Sequence, residues 1–380
     1  MPKSYIAGIF LMLMSMLASA EQLKIGKFNS RAIWTKASGS SAKTKAPLVI
    51  LIPGSGEFGP EEVMPKAYPL TGTDGYPLLS IYAKPFQLAG FHTLQLGKPG
   101  VEFFESWEKV VSYENFYDKN MWANLRWSDL VLNVEQAIEV AKADPSVDPT
   151  RIYLLGHSEG TVVASDVAAK HPDIAGIILL GYAGEPIGAT LHWQTFERQI
   201  NQVIASDIDS DHDGSITEKE AALWPIDALF PPSFLSEGKS WDWVREPVLK
   251  LSVISKMWLD DPILLKESDI TTWYARFPFW VDFANRTDVK ETTASIHGSV
   301  HVFTGQFDVN TPPEWSVKLK EVCDKRSKVC DVRIVPGLTH KFAPVNSKFA
   351  GPRFNSTLDQ GLNPIDENFL STLNSLARNL

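Results

Sequence analysis

The chain has 380 residues, of which 44% are hydrophobic and 21% charged, and its formal net charge is −9. This is the composition of a globular protein, long enough for one large domain with an insertion or for two domains. An acidic balance with no basic stripe to neutralise phosphates argues against nucleic acid as a partner.

In chain order, the first twenty residues read as an export signal. Lys3 gives a positive start, Ile6 to Leu17 an apolar run, and Ala18-Ser19-Ala20 the small residues that a signal peptidase accepts. The run is shorter than the roughly 20 residues that span a bilayer. The expectation is an exported protein, periplasmic or secreted, with no stable membrane span.

From about 21 to 185, and again from 298 to 380, short apolar strand-like runs alternate with helical patterns. Ala46 to Ile52 is a buried-strand run that stops at Pro53-Gly54-Ser55-Gly56, and Phe91 to Leu96 is a second, ended by Gly97. Leu125 to Ala143 carries helical periodicity through Leu130, Val134, Ala137, Ile138 and Ala141, and stops at Asp144-Pro145. Ile152 to Leu155 reads as a strand, Gly160 to Lys170 as a helix, and Ile174 to Leu180 as a strand. After residue 298 come strands at Val300 to Thr304 and Val332 to Val335, a helix near Glu314 to Val322 between them, and a closing helix from Ile365 to Asn379. Nearly all-apolar strands alternating with helices predict an α/β fold: a mostly parallel sheet covered by helices on both faces. The two cysteines, Cys323 and Cys330, would pair in an oxidising compartment.

Residues 186–297 break the rhythm. They hold seven of the twelve tryptophans, with prolines between them, and read as a mainly helical insertion between two core strands. Within it, residues 209–220 match an EF-hand loop. Asp209, Asp211 and Asp213 fill positions one, three and five, Gly214 permits the turn at six, Ser215 offers its carbonyl at seven, Thr217 stands at nine and Glu220 closes at twelve. Hard oxygen donors at this spacing suit Ca2+. A single loop without a partner favours a structural ion over cooperative sensing.

Gly156-His157-Ser158-Glu159-Gly160 is a G-x-S-x-G pentapeptide set between a predicted strand and a predicted helix. Such a turn lifts a serine hydroxyl clear of the sheet and aims the helix N-terminus at a developing oxyanion. The pentapeptide, its strand–turn–helix setting and the order of elements resemble the α/β-hydrolase fold, over the two core segments and not over the insertion. The resemblance implies a nucleophile at Ser158, followed in chain order by an acid and a histidine. Asp308, after the run Val302 to Gly305, and His340, after Ile334-Val335, fill those positions. Asp282 and Asp331 are weaker substitutes for the acid. It also implies an oxyanion hole built from the N–H of Glu159 and an N–H of the 53–56 loop, Ser55 first and Gly56 next. The familiar His-Gly of many members is Pro53-Gly54 here. The insertion would be a cap over the nucleophile. The expected activity is hydrolysis of a small-molecule carboxylic ester through an acyl-enzyme. A peptidase or thioesterase would use the same three residues, and a non-catalytic calcium-binding protein could use the same scaffold.

Overall fold

The structure, a computed structural model, describes residues 20–64, 76–106, 116–186, 189–190, 193–194, 211, 278–284, 286, 288–344 and 364–380. Its strands are β1 (Ala20–Ile25), β2 (Ser30–Thr35), β3 (Ala46–Ile52), β4 (Val63–Met64), β5 (Tyr76–Pro77), β6 (His92–Leu96), β7 (Val147–His157), β8 (Gly176–Leu180), β9 (Ser299–Gly305) and β10 (Cys330–Val335). The helices, numbered in chain order, are α1 (Leu78–Leu88), α2 (Lys119–Asn124), α3 (Trp127–Ala143), α4 (Glu159–Lys170), α5 (Pro278–Ala284), α6 (Val289–Ala294), α7 (Pro313–Lys325) and α8 (Glu367–Asn379).

Eight strands form one sheet in the order β1-β2-β6-β3-β7-β8-β9-β10. Strand β2 runs antiparallel to both neighbours, and every pair from β6 to β10 is parallel. The parallel strands are apolar throughout because each face meets its own core. Leu48, Ile50 and Ile52 point to one side with Ile152, Leu154, Ile177 and Leu179. Val49 and Leu51 point to the other with Tyr153, Leu155, Ile178 and Leu180. Helices α3, α4, α6 and α7 cover the first face, and α1 and α8 the second. The mostly parallel, doubly covered sheet expected from the sequence is the fold observed.

Three elements escape the sequence pattern. The hairpin β1–β2 lies at the sheet edge, where most of β1 is exposed and has no apolar run to announce it. Helix α1 buries Leu78, Leu79, Tyr82, Ala83 and Phe86 on one face, but Pro85 inside its last turn disguises it. Strand β7 begins five residues earlier than the apolar run suggests, at Val147.

Cys323 and Cys330 are joined in a disulfide that ties the end of α7 to the start of β10. Near the far end of the stretch read as an insertion, Phe283, Val289, Ala294 and Ile296 lie in the same core as α3 and α4. These described residues therefore pack against the sheet layer. Among the described residues no helix is long and apolar enough to cross a membrane.

Candidate active site

Of the sequence-predicted site residues, Ser158, Asp308, His340 and Ser55 each follow the carboxyl end of a parallel strand, the edge where α/β sheets place their ligands. Ser158 follows β7 directly and caps α4 with φ 54° and ψ −119°. A non-glycine residue in that region is strained and persists only where its surroundings hold it. The glycines on either side explain how. A Cβ on Gly156 would lie 2.2 Å from the carbonyl oxygen of Gly160, and one on Gly160 would lie 2.4 Å from that of Ile52. The turn closes because neither has a side chain, and the N–H of Ser158 is tied to the carbonyl of Leu180 on β8, 2.9 Å away.

Asp308 and His340 meet. Asp308 sits in the turn after β9 and is 3% exposed; His340 sits in the loop after β10 and is 5% exposed. His340 Nδ1 lies 2.8 Å from Asp308 Oδ2. The same carboxylate accepts the Thr311 hydroxyl at 2.8 Å and the N–H groups of Asn310 and Thr311 at 2.9 and 2.8 Å. Every lone-pair direction of Asp308 is thus directed, and its acceptor character places the Nδ1 proton between the two side chains. Nε2 is left as the proton acceptor. The ring of His340 stands 5.0 Å, centroid to centroid, from that of His157, the residue beside Ser158. Behind the histidine, the Tyr82 hydroxyl donates to the carbonyl of Lys341 at 3.1 Å. Burial, with help from the charge of Glu62, pushes that phenol well above its ordinary range, so it stays a donor.

The loop after β3 passes close by. A Cβ on Gly54 would lie 3.2 Å from the Cβ of Ser158. The N–H of Gly54 already donates to Glu62 Oε1 at 2.9 Å. Ser55 is exposed beyond it. Glu159 turns its side chain away, into a buried ion pair with Lys98 Nζ at 2.6 Å, so what it can offer a substrate is the N–H at the head of α4.

The substitutes for the acid have other work. Asp282 accepts the N–H of Ser128 at the start of α3. Asp331 lies near the amino end of β10, bonded to Arg333 and 3.2 Å from His301. The calcium candidates Asp209, Asp213, Ser215 and Glu220 lie outside the described residues, and of the 209–220 loop only Asp211 is within them. Among the described residues no group of three or more metal-ligating side chains comes together. From the start of the insertion, Trp193 Nε1 donates to the carbonyl of Val309 and the Gln194 amide to that of Asn310, at 2.8 and 2.9 Å, so this stretch braces the loop bearing Asp308.

Sequence reading missed Glu62, Thr311, Tyr82 and the Lys98–Glu159 pair as neighbours of the site. Thr311 carried a signal, since it lies three residues after Asp308 in a turn. Glu62 lies in an acidic stretch with nothing to mark it, and its partner His157 is 95 residues away.

No family model and no curated protein matches the chain. Solved structures do. A protein described as a dipeptidyl aminopeptidase IV from Bacteroides ovatus is similar over 96% of this chain at 11% identity and a TM-score of 0.50. The chain spans 35% of that protein's length. Est1E from Butyrivibrio proteoclasticus matches 95% of this chain and 97% of its own at 14% identity, TM-score 0.45. The alpha/beta hydrolase GrgF from Penicillium matches 94% and 99% at 16% identity, TM-score 0.43. What the chain shares with the first of these, at a TM-score of 0.50, is the α/β-hydrolase fold alone.

Proposed function

We propose that the chain is a serine hydrolase that cleaves a small-molecule carboxylic ester through an acyl-enzyme on Ser158. The observation that carries this reading is the strained Ser158 turn at the head of α4 beside the buried Asp308–His340 pair. In this reading His340 Nε2 takes the hydroxyl proton as Ser158 Oγ bonds to the ester carbonyl carbon. The N–H groups of Ser55 and Glu159 receive the oxyanion. The bond to the leaving alcohol then breaks and His340 returns the proton to it. Water repeats the sequence on the acyl-enzyme, releasing the acid and restoring Ser158. Asp308 keeps the imidazole in the required tautomer and balances its charge.

Two finer elements belong to the same proposal. The 209–220 loop holds Ca2+ through Asp209, Asp211, Asp213, the Ser215 carbonyl and Glu220, in an insertion that caps the nucleophile. The protein acts outside the cytoplasm after loss of its first twenty residues. Both are supported by the sequence pattern.

The test is a panel of nitrophenyl esters of graded acyl length, aminoacyl amides and acyl thioesters, assayed with wild-type protein and with Ser158→Ala. Ester turnover that falls by about 10⁴-fold or more in the variant is the expected result. Turnover of amides or thioesters alone would reassign the substrate class, and ester turnover unaffected by the substitution would refute the nucleophile.

A further inference from the structure

Glu62 occupies a position that ordinary packing does not account for. It is 1% exposed, and its backbone is held at φ 48°, a region costly for a residue with a long side chain. The chain around it is fastened on both sides: its N–H bonds to the carbonyl of Gly59, and its own carbonyl accepts the N–H of Leu78 at the head of α1. The side chain is thereby aimed at the two segments that flank the nucleophile. A single oxygen, Oε1, accepts the N–H of Gly54 at 2.9 Å and the Nδ1–H of His157 at 2.8 Å. The first belongs to the loop that carries Ser55. The second belongs to the residue that precedes Ser158.

This has a direct chemical consequence. The N–H of Gly54 is taken up by Glu62, so the loop's donor to an oxyanion must lie further on, at Ser55. The direction of that next N–H is fixed by the Gly54 backbone, a residue with little conformational restraint of its own. Its restraint comes from the hydrogen bond at its N–H. Meanwhile His157 Nε2 and Glu62 Oε2 are buried and have no hydrogen-bond partner among the described residues. The bonds to Oε1 are therefore the polar anchoring of both side chains there.

We propose that Glu62 is a positioning residue of the active site: by gripping Gly54 and His157 with one oxygen, it holds the oxyanion loop in register with the Ser158 turn. The inference rests on the serine-hydrolase reading. A misplaced donor weakens stabilisation of the tetrahedral intermediate more than it weakens substrate binding, so the expected signature is a fall in kcat with KM nearly constant. What matters is where the accepting oxygen sits, and less the carboxylate's charge. Glu62→Gln keeps an acceptor at the same reach. Glu62→Asp keeps the charge but withdraws the acceptor by about one carbon–carbon bond, and an ångström at a catalytic donor is worth about 10²-fold in rate.

The experiment measures kcat and KM for ester hydrolysis, per site titrated with a fluorophosphonate, in wild type, Glu62→Gln and Glu62→Asp. The expected result is that Glu62→Asp loses about 10- to 100-fold in kcat with KM within about threefold of wild type, while Glu62→Gln loses no more than about threefold. Glu62→Asp within threefold of wild type, or Glu62→Gln impaired as much as Glu62→Asp, would overturn the positioning role and leave the hydrolase reading standing. Wild-type protein that neither reacts with the fluorophosphonate nor turns over esters would overturn both.

Discussion

At Ser158 the constraint is carried by backbone. Ser158 is fixed in a left-handed conformation because Gly156 and Gly160 let three backbone segments cross at less than side-chain distance. The turn itself is legible in a five-residue pattern, because the spacing of the glycines is the geometry. Asp308 and His340 were legible for a related reason, since each follows a strand end and the parallel sheet sets all such ends on one edge. Glu62 and His157 were not, because their meeting depends on how the loop after β3 folds back across the sheet edge. The same holds for Lys98 and Glu159, a buried pair 2.6 Å apart whose members are 61 residues apart. That pair makes a prediction at the residue scale. Glu159→Ala keeps the backbone N–H but leaves the Lys98 ammonium buried without its counter-charge. Removing one partner of a buried pair costs about 3–5 kcal/mol. Thermal or urea unfolding of the variant should show a loss of that order, and a loss under about 1 kcal/mol would mean that the pair is relieved by water in solution.

The elements divide by how their burial is written. Strands β3, β7, β8 and β9, covered on both faces, appear as apolar runs and were placed from the sequence. The edge hairpin β1–β2 and the proline-bearing α1 have no such run and were found only in the structure. The end of α3 shows how an element is stopped and what stopping it is worth. Asp144 closes the helix and accepts the N–H and hydroxyl of Ser146 at 2.8 and 2.5 Å, with Lys36 Nζ at 2.8 Å. Burial alone would raise its pKa. The bonds from Lys36 and Ser146 outweigh that and bring it from 3.8 to about 2. A carboxyl group depressed in the folded state stabilises fully above its unfolded value and loses that contribution as pH falls towards the folded value. Asp144→Ala should therefore lower Tm by about 1–3 °C at pH 7, corresponding to about 1 kcal/mol of lost hydrogen bonding. The gap to wild type should hold at pH 5 and close as the pH falls from about 4 towards 2. A gap that does not change over this range would show that the ionised carboxylate is not what stabilises the helix end.

On the scale of the whole molecule, the sheet with its two helical layers presents one edge, and on that edge stand the serine, the acid–histidine pair and the loop after β3. The insertion begins by bracing the Asp308 turn through Trp193 and Gln194, and residues from its far end pack into the core. The 209–220 loop gives the molecule a second, independent chemistry to test. If it binds Ca2+, removing the ion with a chelator lowers Tm in a calcium-reversible way, by RT ln(1 + [Ca2+]/Kd) of stability when the ion binds only the folded state. Melting curves that coincide with and without chelator would exclude a structural ion in this loop. The chemistry proposed for this edge, however, turns on Ser158. The most direct measurement is fluorophosphonate labelling of the folded protein followed by mapping of the modified peptide. The prediction is one phosphonyl group per chain on Ser158, absent after heat denaturation and absent in His340→Ala. Folded wild-type protein that does not label, or that labels at another residue, would contradict it.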